Sequence, residues 1–197
     1  LLSNYLHTFT LTNNTIYKKR AEEIIGYLNK RLVDSYTGAF YGCQDLVRGK
    51  PPEGLETDYD TPGWFSIIDE CIYTDANAKT IGAYLEAWRI LGIQDCLDRA
   101  LRTLEFLWAY CHDPIEGTYH YFDGTSHVPG LLKDQVSLGT ALLKAFDATK
   151  DPQYIERAEE IARDILNSYA NPSGGFYDIK DQGEANLQFK ITSLSEN

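Results

Sequence analysis

The chain has 197 residues, 43% hydrophobic and 24% charged, a balance that excludes global disorder and suits one well-cored domain. Eighteen Lys and Arg against 29 Asp and Glu leave a formal net charge of -11, whose field opposes nucleic acids and anionic membrane surfaces as partners. No apolar run reaches the roughly 20 residues that span a bilayer, and Ser3, Asn4, His7, Thr8 and Thr10 make the opening stretch too polar for a signal peptide.

In chain order, residues 1–14 read as an N-terminal extension and residues 15–33 as the first helix. Gly38-Ala39-Phe40-Tyr41 marks a turn after it. Residues 42–73 form a long loop punctuated by Pro51-Pro52, Gly54 and Pro62-Gly63, and loops of that length in compact domains usually carry function. Its acidic residues Glu53, Glu56, Asp58 and Asp60 lack the ordered spacing of a calcium loop, so they read as a solvated cluster. Over 76–91, Ile81, Tyr84, Leu85, Trp88 and Leu91 recur at helical spacing, and Gly92 is placed to stop the helix. Over 94–111, Leu97, Leu101, Leu104, Trp108 and Cys111 form one stripe, with Asp98, Arg102 and Glu105 on another face. The same logic predicts helices over 136–149 and 153–169, the second started by Asp151-Pro152. Residues 182–197 have no developed helix. Period-two alternation is short throughout, so the expected fold class is all-α.

The elements repeat. Arg20-Ala21, Arg99-Ala100 and Arg157-Ala158 each open an amphipathic stretch that ends in glycine followed by aromatics. The interval between the last two anchors recurs between Ala87-Trp88 and Ala145-Phe146, and the first interval is longer by an insertion. A period of about 58 residues exceeds the roughly 34 to 47 residues of common helical-pair repeats and suits a helical hairpin with a generous loop. Five helices make an odd number of hairpin arms. The expectation is therefore an incomplete ring of antiparallel hairpins whose open edges self-associate.

Cys43, Cys71, Cys96 and Cys111 show neither a Cys-x-x-Cys pair nor metal-ligand spacing, and read as free thiols. With no leader recognised, they point to a cytoplasmic protein. No pattern calls for a cofactor or a metal.

Several landmarks resemble, in order, the helical region of the DUF255 family. They are Gly38-Ala39-Phe40-Tyr41-Gly42-Cys43-Gln44-Asp45, Tyr73-Thr74-Asp75-Ala76-Asn77-Ala78, Lys133-Asp134-Gln135, Gly174-Gly175-Phe176-Tyr177-Asp178 and Glu196-Asn197. The resemblance implies an α/α toroid similar to six-hairpin glycosidases and N-acylglucosamine 2-epimerases, with inner and outer helices. The thioredoxin-like domain of that family has no counterpart here, so no redox function carries over. The family often has Trp where this chain has Ala76. A sugar or sugar-like molecule is the implied ligand, with hydrolysis or epimerisation as the chemistry and a non-catalytic scaffold or interaction domain as the alternative.

Within that frame, Asp75 and Asp134 are the catalytic candidates, because each precedes an inner helix and inner helices of a toroid start around one opening. Paired carboxylates supply the protonated and ionised groups that glycoside hydrolysis needs. The competing role is helix capping. Asn77, in a first turn, suggests a demand on its amide. Gln44 and Asp45 follow the first glycine–aromatic turn and are expected at the same rim. Tyr73 and Trp64 are candidates for stacking on a sugar ring. His112, His120 and His127 read as solvated loop residues, although an epimerase would use a histidine base. His127 is singled out because Ser126-His127-Val128-Pro129-Gly130 leads towards Asp134.

Overall fold

In a computed structural model, which describes residues 1–50 and 63–180, six helices alternate with short strands. They run α1 (Leu2–Thr12), α2 (Thr15–Arg31), β1 (Cys43–Arg48), β2 (Trp64–Asp69), β3 (Ile72–Tyr73), α3 (Thr74–Leu91) and α4 (Gln94–Tyr110). β4 (His112–Asp113), β5 (Gly117–Phe122), β6 (Ser126–Pro129), α5 (Leu132–Thr149) and α6 (Pro152–Ser168) follow. Three hairpins result, α1–α2, α3–α4 and α5–α6. Helix α3 packs against both α1 and α5, whereas α2, α4 and α6 pack chiefly on their own partners. The inner layer is thus α1, α3 and α5. The expected helical-hairpin architecture is present.

Each hairpin is turned by the same short device. The inner helix ends on a left-handed residue, Asn13 (φ 54), Gly92 (φ 74) or Lys150 (φ 61), whose N–H donates to the carbonyl of Phe9, Trp88 or Phe146. Asn14 and Asp151 then cap α2 and α6 by accepting from the Ile16 and Gln153 amides, and Pro152 opens α6. These are local signals, so the sequence expectations at Gly92 and Asp151-Pro152 hold.

The turn after each outer helix also repeats. Beyond the C-caps Leu32, Cys111 and Tyr169, the side chains of Asp34, Asp113 and Asn171 each accept a backbone N–H two residues on. Gly38, Gly117 and Gly175 follow at φ 80, 91 and 70. The N–H groups of Tyr41, Tyr119 and Tyr177 then close on the cap carbonyls at 2.7, 2.8 and 2.8 Å.

Two expectations need correction. Residues 1–14 are not an extension, because α1 is the inner arm of the first hairpin, and the described residues hold an even number of arms. The Thr8, Thr10 and Thr12 hydroxyls bond back to carbonyls four residues earlier, a competing bond that weakens helix signals. Burial of Leu2 and Leu6 against the neighbouring helices supplies what propensity does not. Second, the segment 42–73 is not all loop. β1 and β2 pair antiparallel with Cys43 opposite Asp69 and Arg48 opposite Trp64. Its acidic cluster 53–60 lies outside the described residues, as does the segment 182–197.

A small sheet, β3–β5–β4 with β6 on β5, sits where α3 and α5 begin. The core between the layers contains Leu6, Ile81, Tyr84, Leu104, Leu107, Leu138 and Leu142, all fully buried. All four cysteines are free, and Cys96 and Cys111 are buried like small hydrophobes. No helix among the described residues is long and apolar enough to cross a membrane. On the α5–α6 flank, Val136 and Leu143 are exposed, whereas Ala78 and Leu85, their counterparts one repeat earlier, are buried.

Candidate acid/base site

Helices α3 and α5 start from Tyr73 and Leu131, which give no side-chain cap. Asp75 and Asp134 sit inside the first turns, so capping is not their role. Nor are they repeat equivalents. In the register that sets Thr74 of α3 on Leu132 of α5, the position of Asp75 is taken by Lys133 and that of Asp134 by Ala76. Their proximity comes from packing, not from the repeat.

Asp134 is fully buried, and its Oδ2 and Oδ1 lie 3.0 and 3.2 Å from His120 Nδ1. His120 is on β5, the strand laid across the start of α5, with its side chain 26% exposed. This overturns its reading as a solvated loop residue. Asp75 Oδ2 meets Lys133 Nζ at 2.8 Å and Lys79 Nζ at 3.0 Å, and the Asp75 side chain is 11% exposed. One donor atom each from Asp75, His120 and Asp134 lie within 4.8 Å of one another.

The environments push the two carboxyls apart. Burial raises Asp134 to about 6; nearby Asp75 adds to the rise, and His120 and Lys133 oppose it. Burial also acts on Asp75, but hydrogen bonds from Lys133 and Lys79, with their charges, hold it below the usual carboxylate range. Carboxyls separated in this way mark acid/base assignments. The donor types would also suit a divalent cation. Two ammonium groups already occupy Asp75 Oδ2, however, and an ion would have to displace both.

Aromatic rings flank His120. Tyr73 lies 5.6 Å from it and 6.0 Å from Tyr121, and Tyr121 stacks on His127 at 4.7 Å. The Tyr73 hydroxyl donates to Asp69 Oδ2 at 3.0 Å, and that bond, with burial, pushes it up to about 12. His127 pairs with Asp123 at 2.8 Å, so it joins the aromatic row and not Asp134.

Asn77 does have a demand on its amide, but the protein itself makes it. Its Oδ1 accepts from the Phe40 amide at 2.7 Å, and Nδ2 donates to the Phe40 and Tyr73 carbonyls at 2.8 and 2.9 Å. Gln135, its equivalent one repeat later, accepts the Thr118 hydroxyl at 2.8 Å. Both amides tie an inner helix to the preceding turn. Gln44 accepts from the Tyr27 hydroxyl at 2.8 Å, Asp45 is exposed on β1, and Trp64 opens β2 at 36% exposure. Among the described contacts, none of these three touches His120, Asp134 or Asp75. The His112 side chain, 6% exposed, lies between Trp108, on which it stacks at 4.2 Å, and Glu160.

Sequence reasoning missed His120 as a site residue. The run Gly117-Thr118-Tyr119-His120-Tyr121-Phe122 carries the signal, an aromatic-rich strand in which Thr118, His120 and Phe122 alternate with the tyrosines.

No protein-family model and no curated protein matches the chain. Among solved structures it is similar to a sugar epimerase from a ruminal bacterium, with TM-score 0.71 and 12% identity over 92% of this chain and 46% of that one. The cellobiose 2-epimerase of Spirochaeta thermophila gives TM-score 0.66 and 17% identity over 86% and 42% of the two chains. A glycosyl hydrolase family 88 protein from Bacteroides vulgatus gives 0.66 and 12% over 98% and 53%. The fold is thus that of the α/α toroids, and the chain spans about half the length of these neighbours.

Proposed function

We propose that the chain carries the acid/base centre of a carbohydrate-active protein, in which His120 Nε2 moves a proton to and from a sugar in an epimerase- or isomerase-like reaction. The contact between His120 Nδ1 and buried Asp134 carries this reading. Asp134 is fully buried and does not reach a substrate, but when ionised it accepts a hydrogen bond from Nδ1–H and so fixes the tautomer whose Nε2 carries a lone pair. Nε2 makes no hydrogen bond among the described residues. A proton taken from C2, beside the carbonyl of the open-chain sugar, would pass to Nε2; its delivery to C1, with the O2 proton moving to O1, gives the isomer, and its delivery to the opposite face of C2 gives the epimer. The enediolate formed in between is negative, and the ammonium group of Lys133 stands beside the centre to stabilise it. Tyr73, Tyr121 and His127 offer ring faces to the sugar.

Glycoside hydrolysis fits less well. It needs carboxyl groups about 5–5.5 Å apart, or about 6.5–9.5 Å for inversion, with the protonated one at the leaving group. Here the carboxyl with raised affinity for its proton is the buried one. Gln44, Asp45 and Trp64 enter only as contacts for the distal part of a substrate. The DUF255 resemblance belongs to this proposal and rests on the ordered landmarks. So do a reducing, cytoplasmic compartment, which suits four free thiols, and self-association through Val136 and Leu143.

The test is proton exchange. The protein is incubated with aldoses in D2O, and deuterium at C2 is followed by NMR. Exchange that falls about 100-fold or more in His120→Gln and Asp134→Asn, both still folded, is expected. A folded protein that exchanges nothing and binds no sugar is the scaffold of the alternative reading.

A further inference from the structure

Asp75 Oδ2 holds two cations where one would neutralise it. An internal control shows which of them is surplus. At the other end of the same helices, Glu86 on α3 meets Lys144 on α5 at 3.2 Å, and these two are also equivalent positions of successive repeats. Lys133–Asp75 and Lys144–Glu86 are therefore the same cross-helix link, made twice by the repeat. Lys79 has no place in that pattern, because its equivalent one repeat later is Ser137.

The lysines are also the outer members of the cluster. Lys79 and Lys133 are 67% and 42% exposed in their side chains, against 11% for Asp75 and 0% for Asp134. A ligand approaching His120 from the side of the lysines would thus meet their ammonium groups before the carboxylates of Asp75 and Asp134. The start of α3 adds the positive end of its dipole on the same side. In a chain of net charge -11, the two lysines match the charge of Asp75 and Asp134 at this point.

We infer that the site takes an anionic sugar, with Lys79 as the residue that meets its charged group. The inference rests on the proposed function and adds the substrate class. A lysine ammonium is a point charge and does not by itself choose between a carboxylate and a phosphate.

Calorimetry or NMR titration of the protein with D-glucuronate, D-glucose 6-phosphate and D-glucose, at low and high salt, tests this. One or both acidic sugars should bind about tenfold more tightly than glucose at low salt. The advantage should shrink at high salt and disappear in Lys79→Gln, with glucose binding unchanged. The acid that keeps the advantage identifies the charged group. Glucose binding as tightly as both acids, or acid binding unaffected by Lys79→Gln, overturns the inference and leaves the proposed function standing. Failure of all three to bind overturns both.

Discussion

Asp75 and Lys133 occupy the same position in successive inner helices, one repeat apart, and their side chains meet at 2.8 Å. A repeat brings equivalent positions of neighbouring helices to the same height. Opposite charges at one such position therefore become a cross-link between hairpins, and Glu86 with Lys144 does the same a few turns further along.

This link has a measurable size. Asp75→Asn should cost about 1 kcal/mol, because it leaves two ammonium groups without their acceptor. Lys133 is 42% exposed, so solvent screens the pair and its coupling should be about 0.5 kcal/mol. Urea unfolding of both single variants and the Asp75→Asn/Lys133→Met double variant gives the coupling directly. Additive single effects would mean that the contact holds nothing together.

Asp134 makes stability depend on pH in an unusual direction. Its carboxyl is raised in the fold from 3.8 to about 6, chiefly by burial, so the folded chain binds that proton more tightly than the unfolded chain does. The stabilisation is complete below about pH 3.8 and is lost as pH rises through about 6. Asp75, lowered by its lysines, acts oppositely, and its contribution is lost as pH falls through its folded value. Comparing melting temperatures of the protein and of Asp134→Asn isolates the first effect. The variant should gain on the parent between pH 4 and 7, and a constant difference across that interval would show that Asp134 titrates normally.

Two glycines should respond with opposite sign to alanine. Gly117 lies at φ 91, and an added Cβ would stand 2.5 Å from Gln135 Nε2, inside the buried staple that holds α5. Gly117→Ala should cost about 2 kcal/mol or more. Gly26, inside α2, has nothing within 4 Å of an added Cβ, so Gly26→Ala should stabilise by about 0.5–1 kcal/mol. Thermal denaturation of the two variants decides it, and a destabilised Gly26→Ala would reveal a crowding the structure does not contain.

The helical hairpins, their repeat and most of their ends were legible in the sequence because their causes are local. Apolar spacing sets a helix face, Gly92 stops α3, and Asp151-Pro152 starts α6 whatever surrounds them. Helix α1 was not legible, since its threonines compete with the helix and its two buried leucines gain only from packing on neighbours. Asp75 and Asp134 could be picked out as candidates, but not their roles. The one-residue difference in their positions turns one about 100° from the other around its helix. Tertiary packing alone decides that Asp134 is buried behind His120 and that Asp75 faces two lysines. His120 becomes the partner of a buried carboxylate for the same reason, because its environment is built by a strand and a helix start that only the fold brings together.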